Sequence, residues 1–276
     1  MPAQLQDLGG RGQPLLFAHA NGYPPGSYRA LAGALGDSGR LLALEQRPLW
    51  GDPQPPQPLH WSLFADDLLQ LLRQQFREPQ WVMGHSMGAT IAVLAADREP
   101  QRFAGLILLD PVFLADRRLL AMRLMGRRRR ARLPMVRRAL RRPQHFPSRE
   151  AAFSFYRDRR AFAGLDDDAL RDYVSASTAP DPAGGLRLRF PAAWEAAIYQ
   201  SAPRVKPLLR RLELPTLGLR GCESATLEPA LWQRWAHWQP AATLRECPGG
   251  HLFPLEQPRA AAALIAAFLA TQNARA

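Results

Sequence analysis

Apolar positions along this chain gather in two ways. Short unbroken runs occur at Leu15–Ala18, Leu41–Leu44, Trp81–Met83 and Leu106–Leu109, and again around Pro215 from Leu214 to Leu219. Runs of this length, bounded by Gly, Pro or polar residues, predict strands buried on both faces. Other apolar positions recur every three or four residues. Trp61, Phe64, Ala65, Leu68, Leu71 and Leu72 predict an amphipathic helix reaching about Phe76. Helices are also predicted over Tyr28–Leu35, Ala89–Ala96, Ala230–Trp238 and the Ala-rich stretch Arg259–Thr271, and a last strand over Thr243–Cys247. Residues 1–14 leave room for at most one short strand. Strand and helix alternate, so the predicted fold class is α/β, a mostly parallel sheet with helices on both faces.

The alternation breaks from 112 to 206. That stretch holds Arg127–Arg130, Arg137, Arg138, Arg141 and Arg142, then two helical patterns, Arg149–Phe162 and Asp166–Ala176. The second opens with three aspartates, which suit the positive end of a helix. A mainly helical, Arg-rich lid over 112–206 is therefore expected, inserted in a core made of 1–111 and 207–276. The net charge of +12 says little by itself, because Lys206 is the only lysine and the abundance of Ala, Leu, Pro and Arg reflects a biased composition. Three readings of the clustered arginines stand: a solvated face, attraction of an anionic substrate, or docking on anionic lipid. Leu119, Leu120, Met122, Leu124, Met125, Leu133, Met135, Val136 and Leu140 interleave with them, either as walls of an acyl pocket or as the lid's own core.

Cys222 and Cys247 are too few and too far apart for a disulfide framework, and free thiols are expected. With no G-x-x-x-x-G-K, no H-E-x-x-H and no four-ligand cysteine set, no cofactor, metal or nucleic-acid partner is expected. No apolar run approaches about 18 residues, and the first twenty residues lack a basic start followed by an apolar core, so a soluble cytoplasmic protein is expected.

The chemistry concentrates at Gly84-His85-Ser86-Met87-Gly88, between an apolar run and a helical pattern. A serine on a sharp strand-to-helix turn is exposed for attack, and glycines on either side relieve the crowding. The following helix leaves the backbone N–H of Met87 available to a developing oxyanion. An ordinary Gly-rich turn is the alternative. Ser86 needs a base, and His251 lies on a loop after the last predicted strand, at the same edge of a parallel sheet. Candidates for the third member are Asp110, ending the strand after the serine helix, and Glu223.

FAHANGYPPGSY, MGHSMGA, LILLDPV, LPTLGLRG and PGGHLFPLEQP, with GGLRLRFPAAWEAAIY between them, together resemble the α/β-hydrolases along nearly the whole chain. The order Ser, acid, His is that family's. The resemblance implies an oxyanion hole made by the backbone of Asn21, in the loop His19-Ala20-Asn21-Gly22, with that of Met87. It also exposes a departure: the family's usual place for the acid holds Ser224. Glu223 falls one residue short of that place, whereas Asp110 stands where some members, haloalkane dehalogenases among them, carry the acid. Asp110 is the favoured acid and Glu223 the alternative. The expected activity is cofactor-free hydrolysis of a small carboxylic ester or thioester, with C–C bond hydrolysis or perhydrolysis on the same residues as runner-up. A non-catalytic ligand-binding relative is the alternative of another class.

Overall fold

The computed structural model describes residues 4–274. The predicted strands form, with one addition at the start. β1 (Leu5–Asp7), β2 (Pro14–Ala18), β3 (Arg40–Leu44), β4 (Gln80–His85) and β5 (Phe103–Leu109) precede the insertion, and α1 (Arg29–Leu35), α2 (Ser62–Gln75) and α3 (Met87–Arg98) lie between them. β6 (His145–Phe146), β7 (Thr178–Pro180) and β8 (Leu186–Leu188) belong to the insertion. β9 (Thr216–Gly221) and β10 (Thr243–Cys247) return to the main sheet. Its order is β1-β3-β2-β4-β5-β9-β10, with β1 antiparallel to β3 and every other pair parallel.

Central strands are apolar on both faces because both are covered. Leu15, Phe17, Met83, Ile107 and Leu217 face one core layer with Ile265 and Phe268 of the C-terminal helix. Leu16, Val82, Leu106 and Leu108 face the other, with Leu68 and Leu72 of α2 and Ile91 of α3.

Between β5 and β9, neighbours in the sheet, the chain runs through α4 (Asp116–Leu124), α5 (Arg127–Arg130), α6 (Pro134–Arg141), α7 (Arg149–Arg157), α8 (Asp167–Ser177), α9 (Ala192–Tyr199) and α10 (Lys206–Leu209). α11 (Pro229–Trp238), α12 (Phe253–Glu256) and α13 (Pro258–Asn273) follow in the second part of the core. Two local expectations change. The helix predicted over Arg149–Phe162 ends at Arg157, and a 3-10 turn follows at Arg160–Phe162. The Arg157 guanidinium donates to the Leu165 and Asp166 carbonyls, fastening that turn onto the start of α8. The insertion also contains a three-stranded antiparallel sheet, order β6-β8-β7, in runs too short to show a two-residue period. α8 begins where the aspartates predict, with the Asp166 carboxylate accepting from the Ala169 N–H at 2.7 Å.

The insertion is continuous with the core of the sheet. Leu170, Tyr173 and Val174 of α8 are buried in the same apolar layer as Leu15 and Phe17. Leu170→Ala should therefore lower global stability by about 2–5 kcal/mol within a single unfolding transition. Denaturant unfolding followed by two optical probes checks this; an early, separate transition would mean that the insertion unfolds on its own.

Candidate active site

β4 delivers the chain to Ser86, and α3 begins at the next residue. Ser86 has φ 55°, a left-handed conformation that side chains other than glycine rarely adopt. Among the described residues only one other non-glycine shares a positive φ, and it is Asp110 at 41°. Such strain persists only where the surroundings over-determine it. Here the Ser86 N–H donates to the Leu109 carbonyl at 2.8 Å, and the Asp110 N–H to the Leu219 carbonyl at 2.8 Å. The two glycines of the turn are required by close approach: a Cβ on Gly84 would stand 2.4 Å from the Ala89 nitrogen, and one on Gly88 only 1.9 Å from the Ala18 oxygen.

The structure brings Ser86, His251 and Asp110 together. His251 Nε2 lies 3.0 Å from Ser86 Oγ, and its Nδ1 lies 2.6 Å from Asp110 Oδ2. A nitrogen facing a carboxylate carries the proton, which leaves Nε2 to accept from the serine hydroxyl. Asp110 is wholly buried, and its carboxylate accepts two further bonds, from the Gly221 N–H at 3.2 Å and the Ser224 hydroxyl at 2.5 Å. Glu223 is not part of this chain of bonds. It is exposed and reaches the neighbourhood through its backbone, whose N–H donates to the Gly249 carbonyl.

Met87 opens α3 and is buried. Gly88 sits against the Ala18 and His19 carbonyls, so the first turn of α3 lies beside the strand end that leads into Asn21. Asn21 is buried, and its side-chain amide donates to the Glu195 carbonyl at 3.2 Å. Beyond it, Gly22 faces an ion pair that sequence reading missed: Arg142 and Glu195, 2.6 Å apart and largely buried, both from the insertion. Burial pushes the Glu195 carboxyl above its ordinary value.

A second set of bonds, also unseen in the sequence, links the loops. The Ala20 N–H donates to the Tyr28 hydroxyl at 3.2 Å, and that hydroxyl donates to His85 Nδ1 at 2.8 Å. His85 Nε2 donates to the His251 carbonyl at 2.8 Å. Tyr28 therefore ties the Asn21 loop, the Ser86 turn and the His251 loop together. Glu256 fixes the last of these from the other side by accepting from the Gly250 N–H at 2.7 Å. Only the polar residue inside an apolar motif, His85, hinted at this arrangement; Tyr28 looked like an ordinary helix residue. Among the described residues no three His, Cys, Asp or Glu side chains stand close enough to share a metal ion.

The pattern of the alpha/beta hydrolase family matches residues 15–264. The chain belongs to that family. Human monoglyceride lipase is 30% identical over 114 residues, 39% of this chain and 38% of that protein. Rat monoglyceride lipase is 40% identical over 60 residues, 20% of each chain. The aligned stretches thus span well under half the length of these relatives. Among solved structures, E-2-(acetamidomethylene)succinate hydrolase superposes with a TM-score of 0.81 at 21% identity, covering 97% of this chain and 95% of that one. The thioesterase domain from the curacin biosynthetic pathway gives 0.73 at 20%, covering 95% and 94%. An esterase from Thermogutta terrifontis gives 0.67 at 22%, covering 98% and 93%. At these identities the structural likeness is one of fold.

Two buried imidazoles give the fold a pH signature. Burial holds His19 down to about 4, and burial, followed by the charge of His251, holds His85 well below its ordinary value. Both stay neutral in the fold, whereas the unfolded chain takes up their protons below about pH 6.5. Stability contributed by their neutrality is complete above that pH and is lost as pH falls. For His19 the decline should approach about 1.4 kcal/mol per pH unit between about pH 6.5 and 4, and His85 should steepen it in the same direction. Urea unfolding in steps from pH 7.5 to 4.5 measures it; a flat profile would show that both rings accept protons within the native structure.

Proposed function

We propose that this member of the family is a serine hydrolase that cleaves a carboxylic ester or thioester through an acyl-enzyme on Ser86. The observation that carries the reading is the unbroken chain of hydrogen bonds from Asp110 through His251 to Ser86. His251 Nε2 takes the hydroxyl proton as Oγ attacks the acyl carbon. The tetrahedral intermediate places its negative oxygen against the backbone N–H groups of Met87 and Asn21. Its collapse breaks the bond to the alcohol or thiol, which leaves with the proton from His251; water then repeats the sequence in reverse and frees the acid. Asp110, wholly buried, holds the imidazole in the working tautomer and offsets its transient charge. Relatives named lipase, thioesterase and esterase support acyl transfer as the reaction class. The segment 112–206 is the lid in this reading, and the Arg142–Glu195 pair beside Gly22 is its contribution to the wall of the site.

The acid is Asp110 rather than Glu223, and Ser224 is part of its machinery. The serine stands where the family's resemblance places a carboxylate, and its hydroxyl supplies one of three bonds that compensate the burial of Asp110. Asp110 thus gains a charge-assisted hydrogen bond from the position that the usual acid would fill.

A fluorophosphonate should label Ser86, and Ser86→Ala should abolish labelling while melting like the parent. Labelling that survives would move the nucleophile elsewhere. Turnover should fall by several orders of magnitude in His251→Ala, and Ser86→Ala/His251→Ala should cost little more than either alone, because the two act as a unit.

For the acid, Asp110→Asn should lower kcat by about 10⁴-fold and Glu223→Gln by little. Ser224→Ala should lower kcat by about tenfold with KM nearly unchanged, the loss of one hydrogen bond to a charged group. Asp110→Asn/Ser224→Asp should run faster than Asp110→Asn, since the new carboxylate enters beside His251. Thermal melts of each variant separate these effects from misfolding. A dead Glu223→Gln alongside an active, folded Asp110→Asn would overturn the assignment.

A further inference from the structure

The positive charge of this protein is concentrated in one place. Residues 114–142 carry twelve arginines and a single acid, Asp116, a net of +11 in a chain whose total is +12. The rest of the protein is close to electrically balanced. Nine of the twelve, Arg117, Arg118, Arg123 and six more in α5, α6 and the turn between them, are exposed. Among the described residues only Arg118 of these nine has a carboxylate within ion-pair reach, Glu228 at 3.5 Å. Several exposed arginines elsewhere on the surface are paired, as Arg40 is with Asp7, Arg98 with Asp66 and Arg211 with Asp97, and among the described residues those without a partner are scattered rather than clustered with exposed leucines.

The same segment holds the large apolar side chains that the fold leaves in water. Leu120 is 56% exposed, Leu124 79%, Met135 44% and Leu140 54%. Leu120 and Leu124 lie one helical turn apart, on a common face of α4, while Leu119 turns inward and is buried. α6 spends Val136 and Ala139 on packing against α9, which leaves Met135 and Leu140 outside among Arg137, Arg138 and Arg141. A purely solvated basic face has no use for outward leucines, and a purely apolar contact has no use for unpaired guanidinium groups.

We propose that α4–α6 form a docking surface for an anionic lipid bilayer, with the arginines on the phosphates and Leu120, Leu124, Met135 and Leu140 in the acyl boundary beneath. Guanidinium groups bind phosphate oxygens in pairs of parallel hydrogen bonds, and their long stems lie along apolar surface while the head stays at the interface. Charge brings the segment to the membrane, and the leucines hold it there. Nucleic acid would engage the arginines but would leave the leucines in water, which is why the lipid is favoured. The docking does not depend on the hydrolytic reading; Ser86→Ala protein should bind vesicles as the parent does, so the two proposals fail separately.

The test is co-sedimentation of the full chain with sucrose-loaded vesicles of phosphatidylcholine alone or with about one third phosphatidylglycerol. Binding to the anionic vesicles should be at least tenfold stronger and should weaken as salt is raised to about 0.5 M. Each arginine near the surface is worth about fivefold in affinity, so Arg117→Gln/Arg123→Gln should lose about twentyfold or more. Leu120→Ser/Leu124→Ser should lose at least tenfold while melting like the parent and hydrolysing a short soluble ester at the parent rate. If that double variant fails to fold, Leu124→Ser alone carries the comparison. Equal binding to both vesicle types overturns the proposal. So does anionic binding that the leucine substitutions leave untouched, or that duplex DNA at equal phosphate concentration displaces, since either marks a bare electrostatic patch.

Discussion

A carboxylate sealed from water is the constraint on which the organisation of this site depends. Ionised and unpartnered, the Asp110 side chain would be very costly to bury. Its acceptance of bonds from His251, Ser224 and the Gly221 N–H makes the burial tolerable. Each partner arrives from a different part of the chain: the loop after β10, the turn after β9, and the end of β9 itself. The carboxylate is also held on strained backbone, at the end of a strand whose last carbonyl receives the Ser86 N–H. Serine, imidazole and acid are therefore positioned by one cluster of mutually dependent bonds, and the parallel strands bring their ends to it.

The sheet was legible because its strands are buried on both faces, and unbroken apolar runs at regular separation admit few other architectures. The three side chains joined by hydrogen bonds carry local signals of their own: glycines flank Ser86, His251 follows Gly249-Gly250, and Asp110-Pro111 ends an apolar strand. What stayed hidden was whatever depends on contact between distant segments. Tyr28 and His85 are 57 residues apart, and Arg142 and Glu195 are 53 apart. Neither pairing leaves a periodic trace in the sequence. The small sheet of the insertion was missed for a different reason. Its strands are two or three residues long, below the length at which alternation can be distinguished from chance. The break after Arg157 escaped notice because Asp158, Arg159 and Arg160 are all compatible with a helix, and it is the Arg157 side chain, bonded to carbonyls further along, that turns the chain.

Charge and chemistry are segregated in this molecule. The site is built from buried polar groups that pair with one another, Asp110 with its three hydrogen-bond partners and Arg142 with Glu195. The excess of positive charge is carried instead by exposed helices that contribute little to the core of the sheet. A field produced at the surface of α4–α6 is screened in solution over about 10 Å at moderate salt, so it acts on what comes close to that face.

The Tyr28 hydroxyl has a mechanical meaning beyond its role as a link. α8 of the insertion packs directly on the turn Pro25–Tyr28, with Gly26 accommodating Ala176 so closely that a Cβ there would stand 2.9 Å away. α8 is thus connected through the Pro25–Tyr28 turn to Tyr28, then to His85, and then to the carbonyl of His251. The insertion and the His251 loop are joined by one run of contacts. If the proposed chemistry holds, slower turnover after a substitution in α8 is by itself no sign that the residue touches substrate, because the same run of contacts ends on the loop that carries the imidazole.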